Sequence, residues 1–111
     1  MILQGEIWVA DLNPTRGHEQ AKTRPVLIVS NDGFNNGPAE LVTVVPVTGT
    51  NRGIPLHVPV SPPDGGLAKP SVILCDQVRT ISTARLSRRV GKLGAPAFAE
   101  VQDRLRILMD L

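Results

Sequence analysis

Short β-branched runs at close spacing, turn-rich segments between them and a single amphipathic stretch at the end predict a mainly β fold. The expected architecture is a small, strongly curved antiparallel sheet or SH3-like barrel with one C-terminal helix packed on it. The 111 residues suffice for one small domain with a single core. No internal repeat, linker or low-complexity segment divides them, so one domain is expected over 1–111.

Ile7-Trp8-Val9 reads as a short strand, and Asp11 to Lys22, rich in Gly, Pro, Asn and charge, as a long loop. Pro25 to Ser30 is an apolar run fit for a strand buried on both faces. Asn31-Asp32-Gly33 and Asn35-Asn36-Gly37-Pro38 are turn signals. Leu41 to Thr48 is β-branched and apolar. Its Pro46 has no N–H for a ladder, so this strand is expected to bulge or to reach an edge there. The polar loop Gly49 to Gly53 leads into Leu56-His57-Val58, and Ser61 to Gly66 is turn-rich. Ser71 to Val78 and Arg89 to Leu93 are the remaining strands. Only the last segment is helical: Pro96 suits a first turn, and Phe98, Val101, Leu105 and Leu108 recur at three- and four-residue steps. Glu100, Asp103, Arg104 and Arg106 fall mainly off that stripe.

Apolar residues at 41% and charged residues at 20% are ordinary for a globular chain and exclude disorder. No apolar run approaches a membrane span, and no basic segment followed by an apolar one marks the N-terminus. The expected location is the cytoplasm. The lone Cys75, inside Val72-Ile73-Leu74-Cys75, cannot form an internal disulfide and reads as a buried thiol. A net charge of +2 announces no basic face, so any nucleic-acid contact must come from local clusters. One cysteine and two distant histidines give no metal-ligand spacing, and there is no phosphate-binding or dinucleotide fingerprint. No metal and no cofactor are expected.

Five segments in order carry the functional signal: Gly5-Glu6-Ile7-Trp8, Asp11-Leu12-Asn13-Pro14, Gly17-His18-Glu19-Gln20 leading into Thr23-Arg24-Pro25, Val45-Pro46-Val47-Thr48, and Cys75-Asp76-Gln77-Val78-Arg79-Thr80. Any one of them is common. Together, at this spacing from Gly5 to about Arg79, they resemble the MazF/PemK (Kid)-type toxins of bacterial toxin–antitoxin pairs. The resemblance implies the same SH3-like fold, shared with CcdB. It also implies a sequence-specific, metal-independent endoribonuclease acting on single-stranded RNA, mRNA foremost, with rRNA and tRNA as further candidate substrates. Attack by the 2′-hydroxyl would leave a 2′,3′-cyclic phosphate and a 5′-hydroxyl.

Such a reaction needs a group to take the 2′-hydroxyl proton, one to protonate the leaving 5′-oxygen, and donors for the phosphorane charge. Arginine fills the last role best, because its planar fork is always charged and matches two phosphate oxygens. Arg24, just before Pro25 at the start of an apolar strand, matches the family's catalytic arginine; the alternative is a surface arginine paired with Glu19 or Asp11. Thr48 matches a catalytic Ser or Thr, although a threonine at a strand end is often only a turn hydroxyl. Glu19 is assigned to the catalytic set, as the group that orients Arg24 and binds substrate. Histidine as a residue type can shuttle a proton near neutral pH, and His18 has a counterpart in the PemK branch. Asp76 matches an aspartate given a base role in that branch, but the arginine acid expected two residues earlier is replaced by Leu74. That departure favours an Arg24/Thr48 centre of the MazF kind, with Asp76 and Gln77 lining the substrate path or fixing the structure. His57, between Leu56 and Val58, reads as a strand-face residue.

With Trp8, Phe34 and Phe98 as the only aromatics, stacking platforms are scarce. Base choice should therefore rest on hydrogen bonds from Asn13, Arg16, Gln20, Lys22, Asn51, Arg52 and Gln77. The resemblance further implies a homodimer with RNA across the interface, and a MazE-like antitoxin whose acidic tail covers the RNA groove. A different class of function on the same fold is a non-enzymatic toxin that binds DNA gyrase, as CcdB does. Chains of that kind end in an aromatic-containing tail, whereas this one ends Leu108-Met109-Asp110-Leu111.

Overall fold

Val26, Leu27 and Ile28 are all fully buried, which for consecutive strand residues means that both faces of the strand are covered. In the computed structural model, which describes residues 1–13 and 22–111, these residues lie in β2 (Thr23–Ile28). It pairs antiparallel with β1 (Glu6–Asp11) on one side and β3 (Leu41–Thr48) on the other. The other strands are β4 (His57–Val60), β5 (Ser71–Leu74), β6 (Arg79–Ser82) and β7 (Leu86–Lys92). The sheet order is β4-β5-β3-β2-β1-β7, and β6 pairs with β3 off this path. β6 and β7 are joined by the 3₁₀ turn Thr83–Arg85, so β1, β2, β3, β6 and β7 form a ring that one turn closes. Opposite Ile7/Trp8 and Val9/Ala10 of β1, β7 carries one extra residue each, Val90 and Ser87, and these bulges help β7 bend around the ring. This is the curved barrel-like sheet the sequence predicts.

Two clusters fill the two faces. Inside the ring lie Ala10, Leu12, Val26, Ile28, Val42, Val44 and Ile81. On the other face Ile7, Leu27, Val45, Val47, Val58 and Ile73 meet Val101 of α2 (Ala95–Met109), with Phe98 and Leu105 packed against them. The alternation Ile7/Trp8, Val26/Leu27 and Val44/Val45 between the clusters is the strand period sorting side chains. Each such burial contributes roughly 1.5–3 kcal/mol. In the helix stripe Val101 is fully buried, whereas Leu108 is 39% exposed.

Several local expectations change. Asn31 does not simply end a turn: its side chain accepts from Phe34 N and caps a one-turn helix α1 (Asp32–Asn35). Pro46 is neither bulged nor at an edge. It is buried, sits opposite Val26, and falls where β3 changes its other partner from β6, last at Val44, to β5, first at Val47. A missing N–H costs least at such a gap. The strand read over Ser71 to Val78 stops at Leu74, and Cys75–Gln77 form a 3₁₀ turn before β6. β7 begins three residues earlier than its apolar core suggests.

Cys75 is fully buried, and burial pushes its thiol up to about 11, as an inert thiol requires. Glu6 is a buried carboxylate that accepts from the Leu3 N–H at 2.8 Å, from Trp8 Nε1 at 3.1 Å and from Arg89 Nε. Burial pushes its pKa up, but these donors outweigh burial and hold it below the ordinary 4.5. Because the folded value lies below the unfolded one, the stabilisation is complete above 4.5 and disappears as pH falls through the folded value. Glu6→Gln is expected to cost about 2 kcal/mol at neutral pH. In urea unfolding, the gap to wild type should close on acidification; a gap independent of pH would refute this account.

The described residues on either side of 14–21 are clasped to each other. The Leu12 N–H donates to the Lys22 carbonyl at 2.9 Å, and the Lys22 N–H to Asn13 Oδ1 at 3.0 Å. Arg79 Nη1 donates to the Leu12 carbonyl, and Arg85 Nη1 to the carbonyls of Asp11 and Asn13.

Candidate active site

Arg24 is the second residue of β2 and faces Ala10 across the β1 ladder. The β2–β3 register, Val26 opposite Pro46, continued by two residues sets Arg24 opposite Thr48, the last residue of β3. Both side chains are half-buried and line one cleft of about 420 Å³. Its floor is apolar, with Val9, Pro25, Val47, Leu67 and Val90. Its polar groups are Arg24, Lys69, Arg88, Thr48 and Ser71. No carboxylate belongs to this lining among the described residues. Apolar walls lower the local dielectric and strengthen the field of those cations, so the cleft suits an anion. Thr48 Oγ1 accepts from the Thr50 N–H at 3.4 Å, a weak contact that orients the side chain and does not use the hydroxyl hydrogen.

The other expected site residues are distributed unequally. Arg16, His18, Glu19 and Gln20 lie outside the described residues. Lys22 is exposed two residues before Arg24, with φ 68°, and Asn13 spends its side-chain oxygen on the Lys22 N–H. Asn51 and Arg52 are exposed on the loop after Thr48 and do not line the cleft; Asn51 Oδ1 accepts from Gly53 N at 2.8 Å. Asp76 and Gln77 are in the 3₁₀ turn after β5, also away from the cleft lining.

Asp76 has a partner that sequence reading does not supply. Its Oδ1 is 2.8 Å from His57 Nε2, and the His57 side chain is buried, 6% exposed, against 34% for that of Asp76. With the proton on Nε2, imidazole donates to the carboxylate, tying β4 to the 3₁₀ turn; Nδ1 is buried with no hydrogen-bond partner among the described residues. This geometry gives Asp76 a structural task. Among the described residues no three His, Cys, Asp or Glu side chains come together as a metal site.

Lys69, Ser71 and Arg88 are the cleft residues that sequence reading missed. Arg88 and Arg89 are consecutive in β7 and therefore leave it on opposite faces. Arg89 pairs with Glu6 and Arg88 lines the cleft. Only the register of β7, Val9 opposite Arg88, separates them.

The chain is 37% identical over 116 residues to Endoribonuclease MazF9 of Mycobacterium tuberculosis, with 100% of this chain and 98% of that protein covered. Its structure is similar to crystalline MazF from Deinococcus radiodurans at a TM-score of 0.87 and 28% identity, over 99% of this chain and 97% of the other. A MazE–MazF complex from the same organism is matched at a TM-score of 0.80 and 28% identity, over 99% and 96% of the two chains. The family model described as PemK-like, MazF-like toxin of type II toxin–antitoxin system matches residues 3–109, and the chain belongs to that family.

Proposed function

We propose that this toxin-family chain is an endoribonuclease that cuts single-stranded RNA, mRNA foremost, without a metal ion. The observation that carries the reading is the meeting of Arg24 and Thr48, from neighbouring strand ends, in one cation-lined cleft. In the reaction the ribose 2′-oxygen loses its proton and bonds to phosphorus, the P–O5′ bond breaks, and the 5′-oxygen gains a proton. A 2′,3′-cyclic phosphate and a 5′-hydroxyl result. Arg24 stabilises the charge that develops on the non-bridging oxygens, and the Thr48 hydroxyl donates to one of them. Glu19 orients Arg24, and His18 lies in the same segment as a group able to move a proton. Asp76, bound to His57, shapes the fold around the site rather than acting as a base.

Base choice belongs to polar loop residues, among them Lys22, Asn51, Arg52 and Gln77. The protein works as a homodimer in the cytoplasm, where its substrate is. A MazE-like antitoxin silences it by laying an acidic segment over the cations of the cleft. A gyrase poison on the same fold needs no such cleft, and the Arg24–Thr48 pairing speaks against it.

Purified protein incubated with total RNA in excess EDTA tests the reading. Cleavage with cyclic-phosphate ends is expected. No cleavage with or without divalent ions would refute ribonuclease activity, and cleavage only with them would refute the metal-free mechanism.

A further inference from the structure

Thr48 lies between two flanks of the sheet. On the β2 flank stands Arg24, and on the β5 flank, where Thr48 pairs with Val72, the chain arrives through Lys69-Pro70-Ser71. Lys69 extends over Gly49, the residue after Thr48. A Cβ built on Gly49 would lie 3.7 Å from Lys69 Cε and 3.8 Å from its Nζ. The ammonium therefore stands beside the backbone that carries the Thr48 hydroxyl. Two features fix where the side chain starts. The residue before a proline is held in extended backbone, and the Lys69 carbonyl accepts from the Oγ of buried Ser71 at 3.0 Å. Among the described residues no carboxylate lies within ion-pair distance of Lys69. Arg89 and Arg104, by contrast, both pair with acids.

We propose that Lys69 binds a backbone phosphate of the RNA in the cleft, from the flank of Thr48 opposite Arg24. This rests on the ribonuclease reading and adds to it the second wall of the phosphate site. An ammonium is a compact point charge with rotatable donors, suited to holding a phosphate without dictating its orientation, while the planar fork of Arg24 does the aligning. The contact carries no base information, so it should serve every sequence alike.

The test measures binding of a random-sequence, fully 2′-O-methylated single-stranded RNA pool, which cannot be cut, across a range of salt concentrations. Lys69→Gln is expected to weaken binding about tenfold and to lower the slope of log affinity against log salt by about 0.7, the share of one phosphate on a single strand. Lys69→Arg should restore the slope. Thermal melting of both variants should match wild type, because Lys69 is exposed. A wild type that cuts total RNA and binds the pool, beside a Lys69→Gln variant with an undiminished slope, overturns the assignment of Lys69 alone. A wild type that neither cuts nor binds overturns the ribonuclease reading and this inference together.

Discussion

Arg24→Ala is expected to lower RNA cleavage by about 10²- to 10⁴-fold, the scale of losing a preorganised charge donor at a developing oxyanion. The fold should survive. Arg24 is half-buried at the start of β2, and the apolar anchors of that strand, Val26, Leu27 and Ile28, lie beyond it. Thr48→Val keeps the shape of the side chain and removes the hydroxyl, so a smaller loss is expected there. Both are read as initial rates on total RNA in EDTA, beside thermal melting to establish that the variants are folded. A folded Arg24→Ala variant that retains more than about a tenth of wild-type rate would remove Arg24 from the catalytic centre.

The largest effect on stability is expected from a glycine in the wall of the same cleft. Gly66 has φ +76°, and a Cβ on it would come within 2.4 Å of the Val90 carbonyl oxygen. That oxygen belongs to β7, where Val90 lies at a bulge, but its neighbours Arg89 and Gly91 are held opposite Trp8 and Ile7 of β1, which limits its retreat. Gly66→Ala therefore combines the left-handed conformational cost, about 1–2 kcal/mol, with a clash against backbone, and a total loss of about 3 kcal/mol or more is expected. Gly53→Ala is the internal comparison. Its φ is +67°, but among the described residues nothing lies within 4 Å of the added methyl, so only the conformational part should appear. Equal losses for the two variants, measured by urea unfolding, would show that the approach of Gly66 to β7 is not tight.

The sequence made the long strands legible where apolar residues are contiguous. Leu41 to Thr48 is β3 to the residue, and Pro25 to Ser30 overlaps the fully buried part of β2. β6 escaped because Arg79–Ser82 has a single buried apolar residue, Ile81; its strand character comes from the partner β3 offers. Pro46 read as a fault in β3 because a proline's cost depends on what lies beside it, and only the three-dimensional pairing reveals that β6 has ended and β5 just begun. The same division holds in the cleft. Arg24 and Thr48 stand at the ends of apolar runs and belong to a recognisable set of segments, so they could be named in advance. Lys69 and Arg88 reach the cleft through the curl of the sheet and the register of β7, which no local pattern encodes. His57 and Asp76, 19 positions apart in the chain, meet because the strand ends at Leu74 and the chain turns there.

The clasp formed by Leu12, Asn13 and Lys22 also bears on how such a protein can change its target. Leu12 and Asn13 on one side of 14–21 and Lys22 on the other are held together by these two hydrogen bonds, and Arg24 follows Lys22 by only two positions. Exchanging what lies between these posts leaves β2, and Arg24 in it, in place. Lengthening it is inexpensive too, since doubling a loop adds only about 0.6 kcal/mol of closure entropy. The barrel can therefore keep β2 and Arg24 in register while the content of 14–21 changes, whereas His18 and Glu19, which belong to that stretch of sequence, change with it.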